Sequence, residues 1–333
     1  MAWRCSFLAC ELLGVISILT IYFEEPEMPF QNTVKNKVTF YGIGIHSGKD
    51  VEVSLRPAEE GTGIVFHRTD LDPSVSIEAI AANVVNTRLS TTIGKNGVII
   101  ATIEHLMAAL RVCGIDNVCV DINGPEVPIM DGSAAPFVKW IEEAGIKTLT
   151  KPRKYLVVKR PVTITDGDKK VTIIPSRYFR ISFDMRFNHP VVNNQFRNVK
   201  LDKNSFNKEI ASARTFGFLA EFETLKANGF AQGASLENAV AIGTEGILNK
   251  EGLRFADEFV RHKILDAIGD FSLVGYHIMG HVKAFKSGHD LNHRLVKELL
   301  ADRDSWELVE FSHQEKIPHP FPIPMTGLKW SEA

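Results

Sequence analysis

The hydrophobic pattern of the chain alternates with period two in some segments and repeats near every 3.6 residues in others. Period two predicts half-buried strands over residues 50–55, 118–122 and 171–174. The longer spacing predicts helices over residues 104–110, after Ser133, over 258–270 and from His289 onward. Gly114 is placed to end the first of these helices, and Ser133 to cap the second. Strands and helices mixed in this way predict an α+β protein.

Two features divide the chain into parts. Threonine, lysine and proline interrupt the apolar pattern over residues 147–153, which predicts a boundary there. A similar order of glycine, charges, alternating strand and proline occurs at 48–57 and again at 167–175, which indicates two domains of similar topology. The predicted organisation is an apolar extension at 1–27, a first domain at 28–148, a second domain at 149–310 and a C-terminal tail at 311–333.

Composition and charge narrow the class of protein. The chain has 333 residues, of which 44% are hydrophobic and 23% charged, and this is typical of a folded protein large enough for two domains. The formal net charge of −2 gives no bulk positive field, so we expect no nucleic-acid partner. Four cysteines in this length indicate a reducing compartment.

One segment at the front differs from the rest. An apolar run of 19 residues extends from Cys5 to Phe23, interrupted by Glu11, and follows a weakly basic start at Arg4. That length is enough to cross a bilayer. Three interpretations stay open: translation that begins at Met28, a membrane anchor, and a cleaved signal sequence.

The first candidate for chemistry is the predicted helix at 258–270. His262, Asp266 and Asp270 fall within roughly 80° of one another on a helical wheel, opposite the apolar face. A histidine and an aspartate four residues apart can bind one metal ion, since their side chains are neighbours on the helix surface. The alternative interpretation is a solvated charged face.

A second candidate lies at the start of the helix at 104–110. Hydrolytic zinc needs three protein ligands, an open position for water and a nearby carboxylate, and Glu104 with His105 could provide the base and the third ligand. The alternative is an ordinary amphipathic first turn with a favourable acid. His289 follows Gly288 at the entrance to a helix, from where it could reach a cleft. Zinc-protease, phosphate-loop and Cys-x-x-Cys motifs are all absent from the sequence.

Taken together, six ordered segments resemble the bacterial UDP-3-O-acyl-N-acetylglucosamine deacetylases. They lie at residues 42–49, 102–109, 128–137, 213–218, 257–270 and 285–289. The resemblance extends from about residue 38 to about residue 308. It implies a hydrolase that removes acetate from an acylated UDP-sugar, the committed step of lipid A biosynthesis in Gram-negative bacteria.

The resemblance also implies a role for each site residue. The expected Zn²⁺ ligands are His105, His262 and Asp266, and a site of two histidines and one aspartate also admits Fe²⁺. Glu104 is expected to be the general base. His289 is expected to be the general acid, oriented and charged by Asp270. The remaining expectations are Thr215 at the oxyanion and a substrate-binding set of Lys263, Phe216, Phe218 and Ser235.

The family fold implied here has two domains of similar topology, each a β-sheet layered with two α-helices, packed as a sheet–helix–helix–sheet sandwich. A small insert at 229–240 would form a hydrophobic passage for the acyl chain. We expect a cytoplasmic monomer, in peripheral contact with the inner membrane if the first 27 residues are present. Two rival functions are a zinc amidase of the same fold with another substrate and a non-catalytic protein that binds a lipid precursor.

Overall fold

The computed structural model describes residues 30–311, which form nineteen strands and six α-helices. The first part contains β1 (Phe30–Val34), β2 (Val38–Ile43), β3 (Asp50–Pro57), β4 (Ile64–Arg68), β5 (Val75–Glu78), β6 (Val84–Asn86), β7 (Thr92–Lys95), β8 (Val98–Ile100), α1 (Glu104–Val112), β9 (Val118–Ile122), α2 (Ala135–Ala144) and β10 (Ile146–Pro152). The second part contains β11 (Lys154–Val158), β12 (Val162–Asp166), β13 (Lys169–Pro175), β14 (Arg180–Met185), β15 (Gln195–Lys200), α3 (Lys203–Glu209), β16 (Phe216–Phe218), α4 (Leu219–Ala227), β17 (Val240–Ile242), α5 (Glu258–Ser272), β18 (His277–Phe285), α6 (His289–Ala301) and β19 (Trp306–Glu310). The predicted α+β class is confirmed.

The longer predicted elements are all present, as β3, β9, β13, α1, α5 and α6. Gly114 follows the C-cap of α1 with φ of +73°, the left-handed conformation that a glycine adopts without strain. The prediction for Ser133 is wrong. The N-cap of α2 is Ala134, one residue later. The Ser133 hydroxyl donates to Asp131 Oδ1 at 2.8 Å in the preceding turn, and its oxygen accepts from the Ala135 N–H at 3.3 Å.

The same pairing pattern occurs in two sheets. In the first sheet the order is β2-β3-β9-β4-β5, in which β4 and β9 run parallel and the other pairs antiparallel. In the second sheet β12-β13-β18-β14-β15 repeats this order and these orientations, and β11 and β19 extend it beside the first half of β18. The echo between residues 48–57 and 167–175 therefore corresponds to the equivalent strands β3 and β13.

Four of the helices, α1, α2, α5 and α6, lie between these two sheets. Helix α2 packs on β2 and on α1, and α1 packs on α5. Helix α5 in turn contacts β14, β15 and α6, and α6 covers β12 and β13. The apolar side chains of both halves form one buried cluster, so the contact between α1 and α5 lies inside the core.

The segment expected to mark a boundary forms a strand. Residues 146–152 are β10, which pairs antiparallel with β1, and most of its side chains are exposed. The polar residues that interrupt the apolar pattern there belong to this exposed strand, whereas its partner β1 is largely buried. The domain limits themselves stay a prediction.

The predicted N-terminal extension and most of the predicted tail lie outside the described residues. Within residues 30–311, none of the helices combines the length and the apolar character that crossing a membrane requires.

Candidate metal centre and active site

Three buried side chains from two helices form a candidate metal site. His105 belongs to the first turn of α1, whereas His262 and Asp266 are one turn apart on α5. Their potential ligand atoms all lie within 4.8 Å of one another. His105 Nε2 is 3.5 Å and His262 Nε2 is 3.3 Å from Asp266 Oδ1. Each residue is less than 5% exposed, which contradicts the alternative of a solvated charged face.

A glycine allows the two helices to approach closely enough for this site. A Cβ atom at Gly269 of α5 would lie 2.7 Å from the carbonyl carbon of Glu104 and 2.8 Å from its Cα atom. The backbone of α1 occupies this space, and backbone cannot move aside as the end of a flexible side chain can. Gly269 therefore fixes the distance between the turn that carries Glu104 and His105 and the ligands on α5.

Neighbouring groups orient the ligand side chains. His262 Nδ1 lies 3.1 Å from the Ala213 carbonyl oxygen, which indicates that Nδ1 carries the proton and that Nε2 faces Asp266 with its lone pair. Burial lowers the pKa of His262 to about 3 despite the charge of Asp266, so this imidazole is neutral at pH 7. Lys263 Nζ donates to Asp266 Oδ2 at 2.9 Å.

The charge state of Asp266 also fits a metal ligand. Burial alone would raise its pKa, but His262 and the ammonium of Lys263 hold the pKa well below the ordinary value. Two imidazole nitrogens and one carboxylate oxygen are ligands that zinc and other first-row divalent metals accept. The residues present therefore fit a three-ligand divalent metal site that leaves room for a further ligand.

Glu104 lies directly beside this cluster. Its carboxylate accepts a hydrogen bond from the Thr91 backbone N–H, with 3.0 Å between nitrogen and Oε2. Burial raises the pKa of Glu104 above its ordinary value, which makes the carboxylate a stronger base. The position and basicity of Glu104 suit a group that takes a proton from water next to a metal ion.

On another side of the cluster, His289 pairs with Asp270. His289 Nδ1 lies 3.1 and 3.0 Å from the two carboxylate oxygens of Asp270. Burial would lower the pKa of His289, but the charge of Asp270 and this hydrogen bond outweigh it and raise the pKa to about 9. Asp270 also accepts hydrogen bonds from Thr91 Oγ1 at 2.6 Å and from Asn292 Nδ2 at 2.9 Å. An imidazolium is therefore held in place at neutral pH.

Several turns around the cluster hold non-glycine residues in left-handed backbone conformations. Leu89, Thr102 and Ala231 have φ values between +53° and +66° and all line the same cavity as the cluster. Met130 and Lys286, with φ of +58° and +52°, lie in two further turns, and the turn at Lys286 leads into α6 and His289. Such conformations cost free energy and are concentrated at functional sites.

An apolar cavity of about 560 Å³ begins at the cluster and continues between β16, α4 and β17. Its lining includes Glu104, all three candidate ligands and His289, together with the predicted residues Thr215, Lys263, Phe216, Phe218 and Ser235. The far part is lined by apolar side chains, which include Phe222, Leu225, Leu236, Val240 and Leu248. All eleven predicted site residues therefore lie around one space or, for Asp270, directly behind it.

The predicted substrate-binding residues have defined neighbours. Phe216 stacks edge-on against Phe259, with 4.9 Å between ring centroids, and lies under the ammonium of Lys263 at 5.7 Å. The Phe218 ring lies 5.7 Å from Phe187. The Ser235 backbone N–H donates to Asn238 Oδ1 at 2.8 Å, a hydrogen bond within the loop that carries Ser235.

A buried ion pair supports the segment that carries Thr215. Arg214 is 2% exposed and donates from its backbone N–H and from Nε to Glu258 Oε1, both at 2.9 Å. Glu258 is fully buried at the start of α5, so the segment 213–215 is fixed relative to His262. The same short segment provides the Ala213 carbonyl that orients the His262 ring.

Four residues of this site were not singled out from the sequence: Thr91, Asn292, Arg214 and Glu258. Asn292 follows His289 by three residues on α6, so helical spacing could have indicated it. Arg214 and Glu258 lie in or next to segments already singled out, where their burial was the missing information. Thr91 is 179 residues from Asp270 and carries no pattern that would have indicated the contact.

Comparison with known proteins agrees with this geometry. The family model for UDP-3-O-acyl N-acetylglycosamine deacetylase (LpxC) matches residues 31–301. The UDP-3-O-acyl-N-acetylglucosamine deacetylase of Geotalea uraniireducens is 65% identical over 306 residues, which are 92% of this chain and 100% of that protein. Proteins of the same name from Myxococcus xanthus and Hahella chejuensis are 50% and 48% identical over 86% of this chain and over 91% and 96% of their own lengths.

Proposed function

This chain belongs to the UDP-3-O-acyl-N-acetylglucosamine deacetylase family, and from that premise we propose that its cleft carries out the reaction with Zn²⁺ bound by His105, His262 and Asp266. The reaction is hydrolysis of the acetamide of an acylated UDP-N-acetylglucosamine to the free amine and acetate, the committed step of lipid A biosynthesis. The observation that carries the proposal is the single cavity that joins the buried ligand cluster, a base and an acid to an apolar passage.

Hydrolysis of an amide needs activation of the carbonyl and a proton for the leaving nitrogen, because an amide anion is a very poor leaving group. A bound Zn²⁺ would supply Lewis acidity, which polarises a carbonyl and lowers the pKa of a water ligand towards about 7. The protein side chains then divide the proton transfers between two groups.

Glu104 acts as the general base in this proposal. It takes a proton from the attacking water, and its raised pKa suits this task at neutral pH. The hydrogen bond from Thr91 N–H holds one carboxylate oxygen in place, and Glu104 lines the cavity. Burial in the first turn of α1 keeps Glu104 next to His105 without a flexible loop between them.

His289 acts as the general acid. Its pKa of about 9 keeps the imidazolium present at neutral pH, and Asp270 orients the ring through Nδ1 so that Nε2–H can protonate the departing amine. We assign Thr215 to the oxyanion because it lines the cavity with the ligand cluster. Its segment is held by Arg214 and Glu258.

The substrate class fits the shape of the cavity. The apolar far part, bounded by α4 and β17, suits an acyl chain, and Lys263 at the cluster end suits an anionic or polar sugar substituent. We propose that Phe216 and Phe218 pack against the sugar or the nucleotide. Ser235 lies in the wall of the passage.

The test is acetate release from UDP-3-O-acyl-N-acetylglucosamine, measured beside UDP-N-acetylglucosamine without the acyl chain. We expect turnover of the acylated substrate and at least about 100-fold lower kcat/KM for the other, since binding energy from a remote apolar group supports catalysis. Glu104→Gln should abolish most turnover with the fold intact. Equal rates on both substrates would exclude a function for the passage.

We also propose where the protein acts, its oligomeric state and the limits of its domains. A nucleotide-sugar substrate argues for a cytoplasmic enzyme, and its acyl chain argues for peripheral contact with the inner membrane. We propose a monomer. The proposed domains are residues 28–148 and 149–310, and the repeated strand order of the two sheets supports them.

A further inference from the structure

Thr91 contacts both halves of the proposed proton-transfer machinery. Its backbone N–H donates to Glu104 Oε2 at 3.0 Å, and its hydroxyl donates to Asp270 Oδ1 at 2.6 Å. The hydroxyl oxygen is also 3.4 Å from His289 Nδ1. Thr91 is 1% exposed, so water does not compete for these contacts.

The backbone around Thr91 is fixed on both sides. The Thr91 carbonyl accepts a hydrogen bond from the Ile103 N–H at 3.3 Å, at the entrance to α1. Two residues earlier, Leu89 has φ of +66°, a left-handed conformation that turns the chain into the site. The Thr91 side chain therefore has little freedom, and its hydroxyl position follows from the backbone of the first part of the chain.

The orientation of Asp270 depends on several donors that come from different elements. Asn292 on α6 donates to Oδ2 at 2.9 Å, Thr91 donates to Oδ1, and His289 lies against both oxygens. Without the hydroxyl, Oδ1 would keep only its contact with His289, and the carboxylate could rotate about its terminal torsion. The His289 ring would then lose a fixed direction.

We propose that Thr91 is a positioning residue that couples the general base Glu104 to the acid pair Asp270–His289 through its backbone N–H and its hydroxyl. The inference rests on the proposed function. It assigns Thr91 no contact with the substrate. Thr91 holds the base and the acid in one relative geometry during the proton transfers. Preorganised catalytic groups of this kind raise the rate by a large factor.

The variants Thr91→Val and Thr91→Ser separate the hydroxyl from the rest of the side chain. Valine has nearly the same shape and keeps the backbone donor to Glu104, whereas serine keeps the hydroxyl and loses a methyl group. We expect Thr91→Val to lower kcat on the order of 10- to 100-fold, as is typical for loss of an outer-shell hydrogen bond. KM and bound metal should stay within about twofold of wild type, and Thr91→Ser should keep kcat within about threefold.

Thr92→Val is the matched control. Thr92 is the neighbouring residue and is also buried, at 6% exposed, so the same chemical change is made in a similar environment. We expect wild-type kcat for this variant. Equal losses of kcat in Thr91→Val and Thr91→Ser, or in Thr91→Val and Thr92→Val, would overturn the inference.

A double-mutant cycle tests the coupling itself. If Thr91 acts through the acid pair, Thr91→Val should lower kcat by less than about threefold in a His289→Ala background, because coupled residues are not additive. A full 10- to 100-fold loss in that background would overturn the inference.

A readout that needs no turnover separates this inference from the proposed function. The downfield proton signal of His289 Nδ1–H should shift in Thr91→Val and stay in place in Thr92→Val. An unchanged signal in Thr91→Val would contradict the role of Thr91. A wild-type protein that holds zinc but releases no acetate would instead contradict the proposed function, and the His289 signal would still decide the role of Thr91.

Discussion

A methyl group added at Gly269 would press on the first turn of α1, where Glu104 and His105 lie. The new Cβ atom would be 2.7 Å from the Glu104 carbonyl carbon, whereas Cβ atoms essentially never approach other atoms within 3.0 Å and ordinary contacts begin at 3.4 Å. The helices would have to separate by roughly 1 Å to restore an ordinary contact. Gly269→Ala therefore tests whether the close crossing of α1 and α5 builds the site.

Two opposing effects on stability can be compared. Alanine is better than glycine inside a helix by about 1 kcal/mol, and overpacking a core costs about 1–3 kcal/mol. Because the obstacle is backbone, the cost lies at the upper end of that range, and we expect a net loss of about 2 kcal/mol in the free energy of unfolding. Activity should fall far more, on the order of 100-fold, since a displacement near 1 Å separates Glu104 and His105 on α1 from the two ligands on α5.

The assay pairs urea unfolding with acetate release and a zinc competition titration. Gly246→Ala is the control, because a Cβ atom at Gly246 would meet open space and the backbone there is not left-handed. The control should be within about 0.5 kcal/mol of wild type and fully active. Wild-type activity in Gly269→Ala would refute the reasoning, as would a loss of stability with unchanged zinc affinity and turnover.

Three further predictions concern charges in the site. In the metal-free protein, the pKa of His289 is raised above 6.5 to about 9. The stabilisation that its pair with Asp270 gives the folded state is therefore fully present below pH 6.5 and is lost as the pH rises through 9. Asp270→Asn should remove that loss in urea unfolding followed from pH 6 to 10, and NMR titration should find the pKa of His289 near or below 6.5. Glu258→Gln should lower the free energy of unfolding by about 3 kcal/mol, because the buried Arg214 then keeps only the exposed Glu251 as a carboxylate partner, and calorimetry at pH 7 measures this. His105→Ala should weaken zinc binding at least about 100-fold in a chelator competition, and unchanged affinity would remove His105 from the ligand set.

The fold could be predicted where local pattern and burial agree. Strands β3, β9 and β13 alternate because one face of each is buried, and α5 has a continuous apolar face, so their periods are visible in the sequence. Strand β10 was interpreted as a boundary because most of its side chains are exposed and need no apolar alternation. Its pairing with β1 depends on a partner more than 100 residues away.

The identity of the site residues could be predicted from the sequence, but the contacts that bury and orient them could not. Spacing brought His262, Asp266 and Asp270 to one side of α5. The positions of His105 and His289 at helix starts made them candidates, and the family resemblance gave them roles. The sequence did not indicate that this side is buried, because the covering helix α1 lies about 150 residues earlier and the close approach depends on Gly269. The contact of Thr91 with Asp270 is similarly long-range, and no periodicity accompanies it.

Reconstitution with zinc tests the central claim most directly. Metal-stripped protein receives Zn²⁺ in steps, and acetate release from UDP-3-O-acyl-N-acetylglucosamine is measured against bound metal at each step. We predict that turnover rises in proportion to occupancy and reaches its maximum at one zinc ion per chain, with no such rise in His105→Ala at the same zinc concentrations. Turnover by the metal-stripped protein, or no turnover at full occupancy, would contradict the account.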